Sequence, residues 1–181
     1  MSADYEIRRE LRAGDLGAIV EHHGRAYAAE HGVDPRFEAH VAASVAHVGD
    51  RGFPREREAI WIVELGGAYA GGLGVTDEGE GVAMLRWVLL EPSLRGRGLG
   101  RRLITAAIDH AERAGFERIC LETFSELRAA AHIYRSHGFE VVSADTAPRW
   151  GREAITYQRY ELELPRSGTS RGAIRALAGS A

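Results

Sequence analysis

The stretch from Leu85 to Leu103 (LRWVLLEPSLRGRGLGRRL) constrains this chain more than any other. An apolar run ends at Glu91-Pro92, a glycine cluster flanked by arginines follows, and a helical pattern begins at once. Gly96, Gly98 and Gly100 strip a turn of side chains, so its backbone can take strained conformations and approach a ligand closely. The following helix points free N–H groups and the positive end of its dipole back into that turn. Arg95, Arg97, Arg101 and Arg102 add fixed charge around it. Strand, glycine turn and helix start together make a seat for a pyrophosphate. A solvated, arginine-rich connection would have the same composition, and the glycines alone do not separate the two readings.

Composition narrows the class. A chain of 181 residues is most simply one domain with a real core. Residues 1–165 read as that domain and 166–181, rich in Gly, Ser, Arg and Ala, as a mobile tail. A net charge of −3 argues against general nucleic-acid binding, which needs an extended basic face. No apolar run reaches membrane-span length, and Met1 to Glu10 has no leader-like apolar core. The single cysteine, Cys120, excludes an internal disulfide and fits a reducing cytoplasm.

Periodicity gives the order of elements. Tyr5–Arg8 reads as a short strand, Asp15–Glu30 and Pro35–Val48 as helices, and Ala59–Leu65 and Ala68–Val75 as a hairpin about Gly66-Gly67. Val82–Leu90 is a long central strand, Leu99–Ala114 a helix stopped by Gly115, and Arg118–Thr123 a strand. Glu126–His137 reads as a helix, Phe139–Ser143 as a strand, Ala144–Glu153 as a loop and Ala154–Leu164 as a last strand. The sum is an α/β (α+β) fold with a mixed sheet and helices on both faces.

Three segments in order carry a family resemblance. Arg95-Gly96-Arg97-Gly98-Leu99-Gly100 has the pattern R-x-x-G-x-G, Arg118–Glu122 (RICLE) looks like the family's next strand, and Ala130–Phe139 (AAHIYRSHGF) has the form A-x-x-x-Y-x-x-x-G-F. The chain resembles the GNAT family of N-acetyltransferases from about Tyr5 to Leu164. That resemblance implies a sheet whose two central parallel strands, here Val82–Leu90 and Arg118–Thr123, splay apart to admit acetyl-CoA. Backbone N–H groups of Gly96 through Arg101 would bind its pyrophosphate with Arg95, and Val88, Leu89 and Leu90 would pair with its pantetheine arm. One of those strand N–H groups would polarise the thioester carbonyl. Tyr134 would be the general acid toward the departing thiolate, and Glu122 the base that frees the amine. Two positions depart from the pattern: Met84 stands where some members place a base, and Leu127 where an asparagine is usual. A narrower likeness, in Tyr27–Glu38 and Leu89–Gly100, is to the acetyltransferase half of MarR-type fusion proteins, whose DNA-binding half has no counterpart here.

The resemblance leaves the acceptor open: a small metabolite amine, a peptide N-terminus, an antibiotic amine or a lysine. His22, His23, His31, His40 and His47 lie in the two N-terminal helices that would line the acceptor site, without the spacing of a metal centre, and no metal is expected. Trp150-Gly151-Arg152 falls at another substrate-lining position or is a hydrophobic plug, and Cys120 reads as a small buried hydrophobe. Dimers are common for this fold, so a homodimer stays open. A non-catalytic acyl-CoA sensor is the alternative function. A dinucleotide-binding oxidoreductase fits poorly, because the third glycine of its fingerprint falls on Arg101.

Overall fold

Strand residues of alternating direction are apolar on both sides here, so each face of the sheet must be covered. In β2 (Ala59–Leu65), Ile60 and Ile62 face one core while Ala59, Trp61 and Val63 face another. The computed structural model describes residues 5–165, so the segment read as a mobile tail lies outside the described residues. The other strands are β1 (Tyr5–Arg8), β3 (Ala68–Asp77), β4 (Val82–Leu90), β5 (Arg118–Phe124), β6 (Glu140–Arg149) and β7 (Arg152–Glu163). They form one seven-stranded sheet in the order β1-β2-β3-β4-β5-β7-β6. Every neighbouring pair is antiparallel except β4 and β5.

Helices α1 (Asp15–His31) and α2 (Pro35–Asp50) cover one face through Ile19, Phe37, Val41, Val45 and Val48. Asp34 caps α2 by accepting the Arg36 N–H at 3.0 Å, and Pro35 fills its first turn. Helix α3 (Leu99–Arg113) covers the other face, burying Leu99, Leu103, Ile104, Ala107, Ile108 and Ala111 at helical spacing. Helix α4 (Arg128–Ser136) packs beside it with Ala131 and Tyr134 buried. Arg8 joins β1, α1 and β2 by donating to Asp15 and Glu64, each at 2.8 Å.

Two expectations change. Helix α4 starts at Arg128 rather than Glu126, because Leu127 is non-helical and the Glu126 carboxylate is held by Arg152 at 2.6 and 2.8 Å. The segment expected as the loop Ala144–Glu153 is a β-hairpin, with β6 and β7 continuing to a turn at Trp150-Gly151. Trp150 (φ 46°) and Gly151 (φ 81°) both take the left-handed conformation that such a tight turn needs. Strand β6 pairs only with β7 and is exposed along nearly its whole length, so it shows no apolar alternation to read.

Two irregularities shape the sheet's centre. β4 and β5 pair only at Val82/Arg118, Ala83/Ile119 and Met84/Cys120, and beyond that rung they part. On its other side β4 bulges against β3: Gly72 faces Leu89 and Gly74 faces Arg86, leaving Trp87 and Val88 opposite Leu73. Trp87 sits at φ 54°, an uncommon conformation for a bulky residue. The bulge is accommodated by glycines on β3. A Cβ on Gly71 would lie 2.3 Å from the Leu89 carbonyl oxygen, and one on Gly72 would lie 2.2 Å from that of Trp61.

Gly72→Ala should therefore destabilise the protein by roughly 2–3 kcal/mol, since both backbone conformation and space exclude the methyl. The denaturant midpoint measures it, and an unchanged midpoint would show that the strand yields. A second expectation concerns His23, which is buried in α1 with Nδ1–H donating to the Ile19 carbonyl at 2.8 Å. Burial pushes its pKa down from 6.5 to about 4, against the pull of that bond. The unfolded chain takes up a proton that the folded state refuses. The stability His23 contributes is thus complete above pH 6.5 and drains away as pH falls toward about 4. The full loss is on the order of 3 kcal/mol. Denaturation at pH 7 and pH 5 should show the drop, and His23→Gln should flatten it; an equal slope in both proteins would place the acid sensitivity elsewhere.

Candidate functional site

The glycine turn forms the N-terminus of α3. Gly96 (φ 73°) and Gly98 (φ 76°) take left-handed conformations, while a Cβ on either would meet open space. Backbone conformation, rather than crowding within the protein, requires glycine there. The N–H groups of Gly96 through Arg101 have no acceptor among the described residues. Arg102 is the first to donate into the helix, to the Gly98 carbonyl at 3.1 Å. Six consecutive free donors at the positive end of a helix form an anion seat. Gly100 is helical, and a Cβ there would make only ordinary contacts with Ile133 at 3.5 Å and Leu90 at 3.8 Å, so neither conformation nor crowding within the protein requires glycine at that position.

The arginines around the turn divide. Arg95 donates Nε to the Leu90 carbonyl at 2.7 Å, and both its terminal nitrogens to Glu30 at 2.8 Å. Its hydrogen bonds hold the Glu30 carboxyl below the usual carboxylate range. Arg101 donates to Ser136 at 2.9 Å, fastening α3 to α4, whereas Arg97 has no polar partner among the described residues.

A cavity of about 950 Å³ opens where β4 and β5 part. Val88, Leu89 and Leu90 line one wall, and Gly96, Gly98, Gly100, Arg95 and Arg101 one end. Glu122 and Tyr134 line the same space. Of the catalytic and cofactor-binding residues named from the sequence, only Arg97 and Leu99 do not line it, and Leu99 is core, 2% exposed; of the acceptor-lining candidates, His23, His31 and His40 line it, whereas His22, His47 and Trp150-Gly151-Arg152 do not. The Tyr134 ring is buried between Phe139 and Tyr160, with centroids 5.9 and 5.8 Å away. Its hydroxyl has no hydrogen-bond partner among the described residues. Burial pushes its pKa well up, so the phenol keeps its proton at neutral pH. Glu122 has one loose contact, Arg159 at 3.5 Å, and its side chain is 42% exposed.

The other end of the cavity is walled by residues that no sequence motif marks. Tyr27, Phe37, His40, Arg86, Phe124 and Tyr157 come from five different elements. Tyr27 stacks on Phe37 at 4.5 Å, and Trp150 stacks behind Phe124 at 5.4 Å. Aromatics at helical spacing in α1 and α2 read as core, and Phe37 and Tyr27 do belong to that core cluster while also lining the cavity. Burial lowers the pKa of His40, the Glu122 carboxylate pulls it back, and Arg149 and Arg86 push it further down. Met84 and Leu127, the departures from the family pattern, both line the cavity. Cys120 is sealed beneath it, with Sγ 3.2 Å from the Ala83 carbonyl and burial pushing the thiol up to about 11. No group of three or more His, Cys, Asp or Glu that could hold a metal ion occurs among the described residues. No helix there is long and apolar enough to cross a membrane.

Comparison with known proteins agrees with this fold. Fold comparison finds YncA of Salmonella typhimurium, solved with its cofactor acetyl-CoA, at 21% identity, 91% of this chain, 96% of that one and a TM-score of 0.66. It also finds an N-acetyltransferase of Staphylococcus aureus Mu50 at 18% identity, 90% and 99% coverage and a TM-score of 0.69. By sequence, the chain is 35% identical over 85 residues to the uncharacterised N-acetyltransferase YjgM of Escherichia coli K12, covering 45% of this chain and 51% of that protein. It is 38% identical over 74 residues to mycothiol acetyltransferase of Thermobifida fusca, covering 41% and 23%. The chain thus spans about half the length, or less, of these curated relatives. The model of the acetyltransferase (GNAT) family matches residues 21–139, and these comprise the glycine turn, the splayed strands and the tyrosine helix. The chain belongs to the acetyltransferase (GNAT) family.

Proposed function

We propose that this chain transfers the acetyl group of acetyl-CoA to an amine directly, with both substrates bound at once. One observation carries the reading: the run of free N–H groups at the start of α3 includes those of Gly96, Gly98, Gly100 and Arg101, residues that line the same cavity as Tyr134 and Glu122. The pyrophosphate fits the donors of Gly96 through Arg101. The edge of β4 from Val88 to Leu90, released from β5, offers its main chain to the pantetheine arm like a neighbouring strand. Arg95 acts on this seat indirectly, by fixing the Leu90 carbonyl and Glu30.

In the transfer, the amine nitrogen attacks the thioester carbon, the N–C bond forms and the C–S bond breaks. Glu122 takes the proton the amine must lose, directly or through water, and His40, kept neutral by burial, is a second acceptor at that end. Tyr134, whose buried phenol stays protonated, gives a proton to the departing sulfur and regains one from solvent. The products are an acetamide and free CoA thiol.

Thiol release from acetyl-CoA across a panel of amines tests the activity. Tyr134→Phe keeps the ring but deletes the hydroxyl, so kcat should fall by roughly 10²–10⁴-fold. Acetyl-CoA affinity and Tm should barely move, because the contact is made in the transition state. Equal turnover removes Tyr134 from the chemistry. Glu122→Gln should depress the rate most at neutral pH and partly recover at alkaline pH, where free amine accumulates. A pH–rate profile matching the parent would hand the proton to His40 or water.

A further inference from the structure

Glu30, Glu122 and Glu126 are the carboxylates that line the cavity, and two of them are already neutralised. Glu30 accepts from both terminal nitrogens of Arg95 at 2.8 Å, and Glu126 from those of Arg152 at 2.6 and 2.8 Å. Glu122 has only Arg159 at 3.5 Å, and that guanidinium is drawn toward Glu161, to which its Nε donates at 2.8 Å. Glu122 is thus the carboxylate left free to hold a cation. On the β4 wall the guanidinium is already committed: Arg86 donates Nε to Thr76 at 3.0 Å, and its terminal nitrogens to Glu78 at 3.0 Å and Ser44 at 3.3 Å.

Beside Glu122 the wall turns aromatic. β5 and β7 pair without a bulge, so Glu122 and Phe124 share a face of the sheet, and Tyr157 stands opposite Phe124 on that face. The spacing from Glu122 to Phe124 along the strand is about 7 Å. Tyr27 and Phe37 complete the patch from the helices. Centroid to centroid, Phe124 lies 5.3 Å from Tyr27, 5.7 Å from Phe37 and 6.0 Å from Tyr157. All four rings line the same cavity as Glu122. A free carboxylate one strand repeat from a cluster of rings suits a cation carried on an apolar body.

We propose, resting on the transferase reading above, that the acceptor is an arylalkylamine: a primary amine on a short chain from an aromatic ring, with no carboxylate beside it. Its ammonium meets Glu122, and its ring packs against Phe37, Phe124 and Tyr157. A carboxylate beside the nitrogen would face Glu122 and find Arg86 already committed. Once Glu122 takes the proton, the nitrogen forms the N–C bond as the C–S bond of the thioester breaks. Tyr134 protonates the thiolate, and the product is an N-acetyl arylalkylamine.

The test compares kcat/KM, by thiol release, for 2-phenylethylamine and tryptamine against ethylamine, phenylalanine and tryptophan. At least one arylalkylamine should exceed both ethylamine and its own amino acid by about tenfold or more. Tyr157→Leu and Phe37→Leu each keep an apolar side chain but remove a ring. Either should cut the preference over ethylamine by about 3- to 10-fold, mainly through KM, and the second serves where the first does not fold. Equal use of ethylamine, or a preference that the folded variants leave in place, overturns the aromatic contact and leaves the transferase reading standing. Preference for the amino acids would give the carboxylate to Arg128, which lines the cavity from α4, and overturns the acceptor class in the same way. Thiol release only from other amines of the wider panel also overturns the class alone, and release from no amine at all overturns both readings.

Discussion

Everything functional in this protein follows from one interruption: β4 and β5 stop pairing after Met84 and Cys120. A parallel pair inside a sheet would normally satisfy its main-chain groups along its full length. Here the upper halves of both strands are turned apart and their facing edges line a cavity. The bulge at Trp87 holds that arrangement, and its unfavourable backbone conformation is held in turn by packing and hydrogen bonding. The indole Nε1–H donates to Ser44 of α2 at 3.2 Å, and the ring lies against Phe53 and the bare backbone of Gly74. Ser44 also accepts from Arg86, so α2 grips β4 at two successive residues.

The two ends of the cavity are built by different means. The carrier end is main chain: a turn, a helix start and a strand edge, whose donors depend on backbone conformation more than on side-chain identity. The acceptor end is side chain, assembled from α1, α2, β4, β5 and the hairpin. The hairpin is fastened there by Trp150 on Phe124, by the Asp34 N–H donating to the Trp150 carbonyl at 2.8 Å, and by Arg152 on Glu126. Under the proposed reading, changing the acceptor walls leaves the carrier end intact, whereas altering the glycine turn disturbs a seat that transfer to any acceptor would need.

This division explains what was legible in the sequence. Gly96, Gly98 and Gly100 on a strand-to-helix turn are a local pattern, whereas Glu122 and Tyr134 were marked by the family resemblance alone, and the folded chain places both along the gap. The paired lengths of β2, β3 and β4 were readable because their alternation or unbroken apolar runs are consequences of double burial. Strand β6 gave no such signal, because neither of its faces is covered, and its hairpin was read as a loop. The cavity's aromatic end was hidden for a different reason. Tyr27, Phe37 and Phe124 each satisfy a core position in their own element, and only the folded chain shows that their rings meet beside Glu122. The commitment of Arg95 to Glu30 was equally invisible, since those residues are 65 positions apart.

The chain's lone thiol lies at the last paired rung below the gap. Cys120 is 0% exposed, packs against Met84 at 3.7 Å and is held far from its reactive thiolate form. A thiol reagent therefore finds no target in the folded molecule, and under the proposed transfer every sulfhydryl it counts comes from released CoA. The same burial makes Cys120 a built-in reporter. It becomes reactive only when the junction of β4 and β5 opens, so its labelling rate measures how often the sheet comes apart where the site begins.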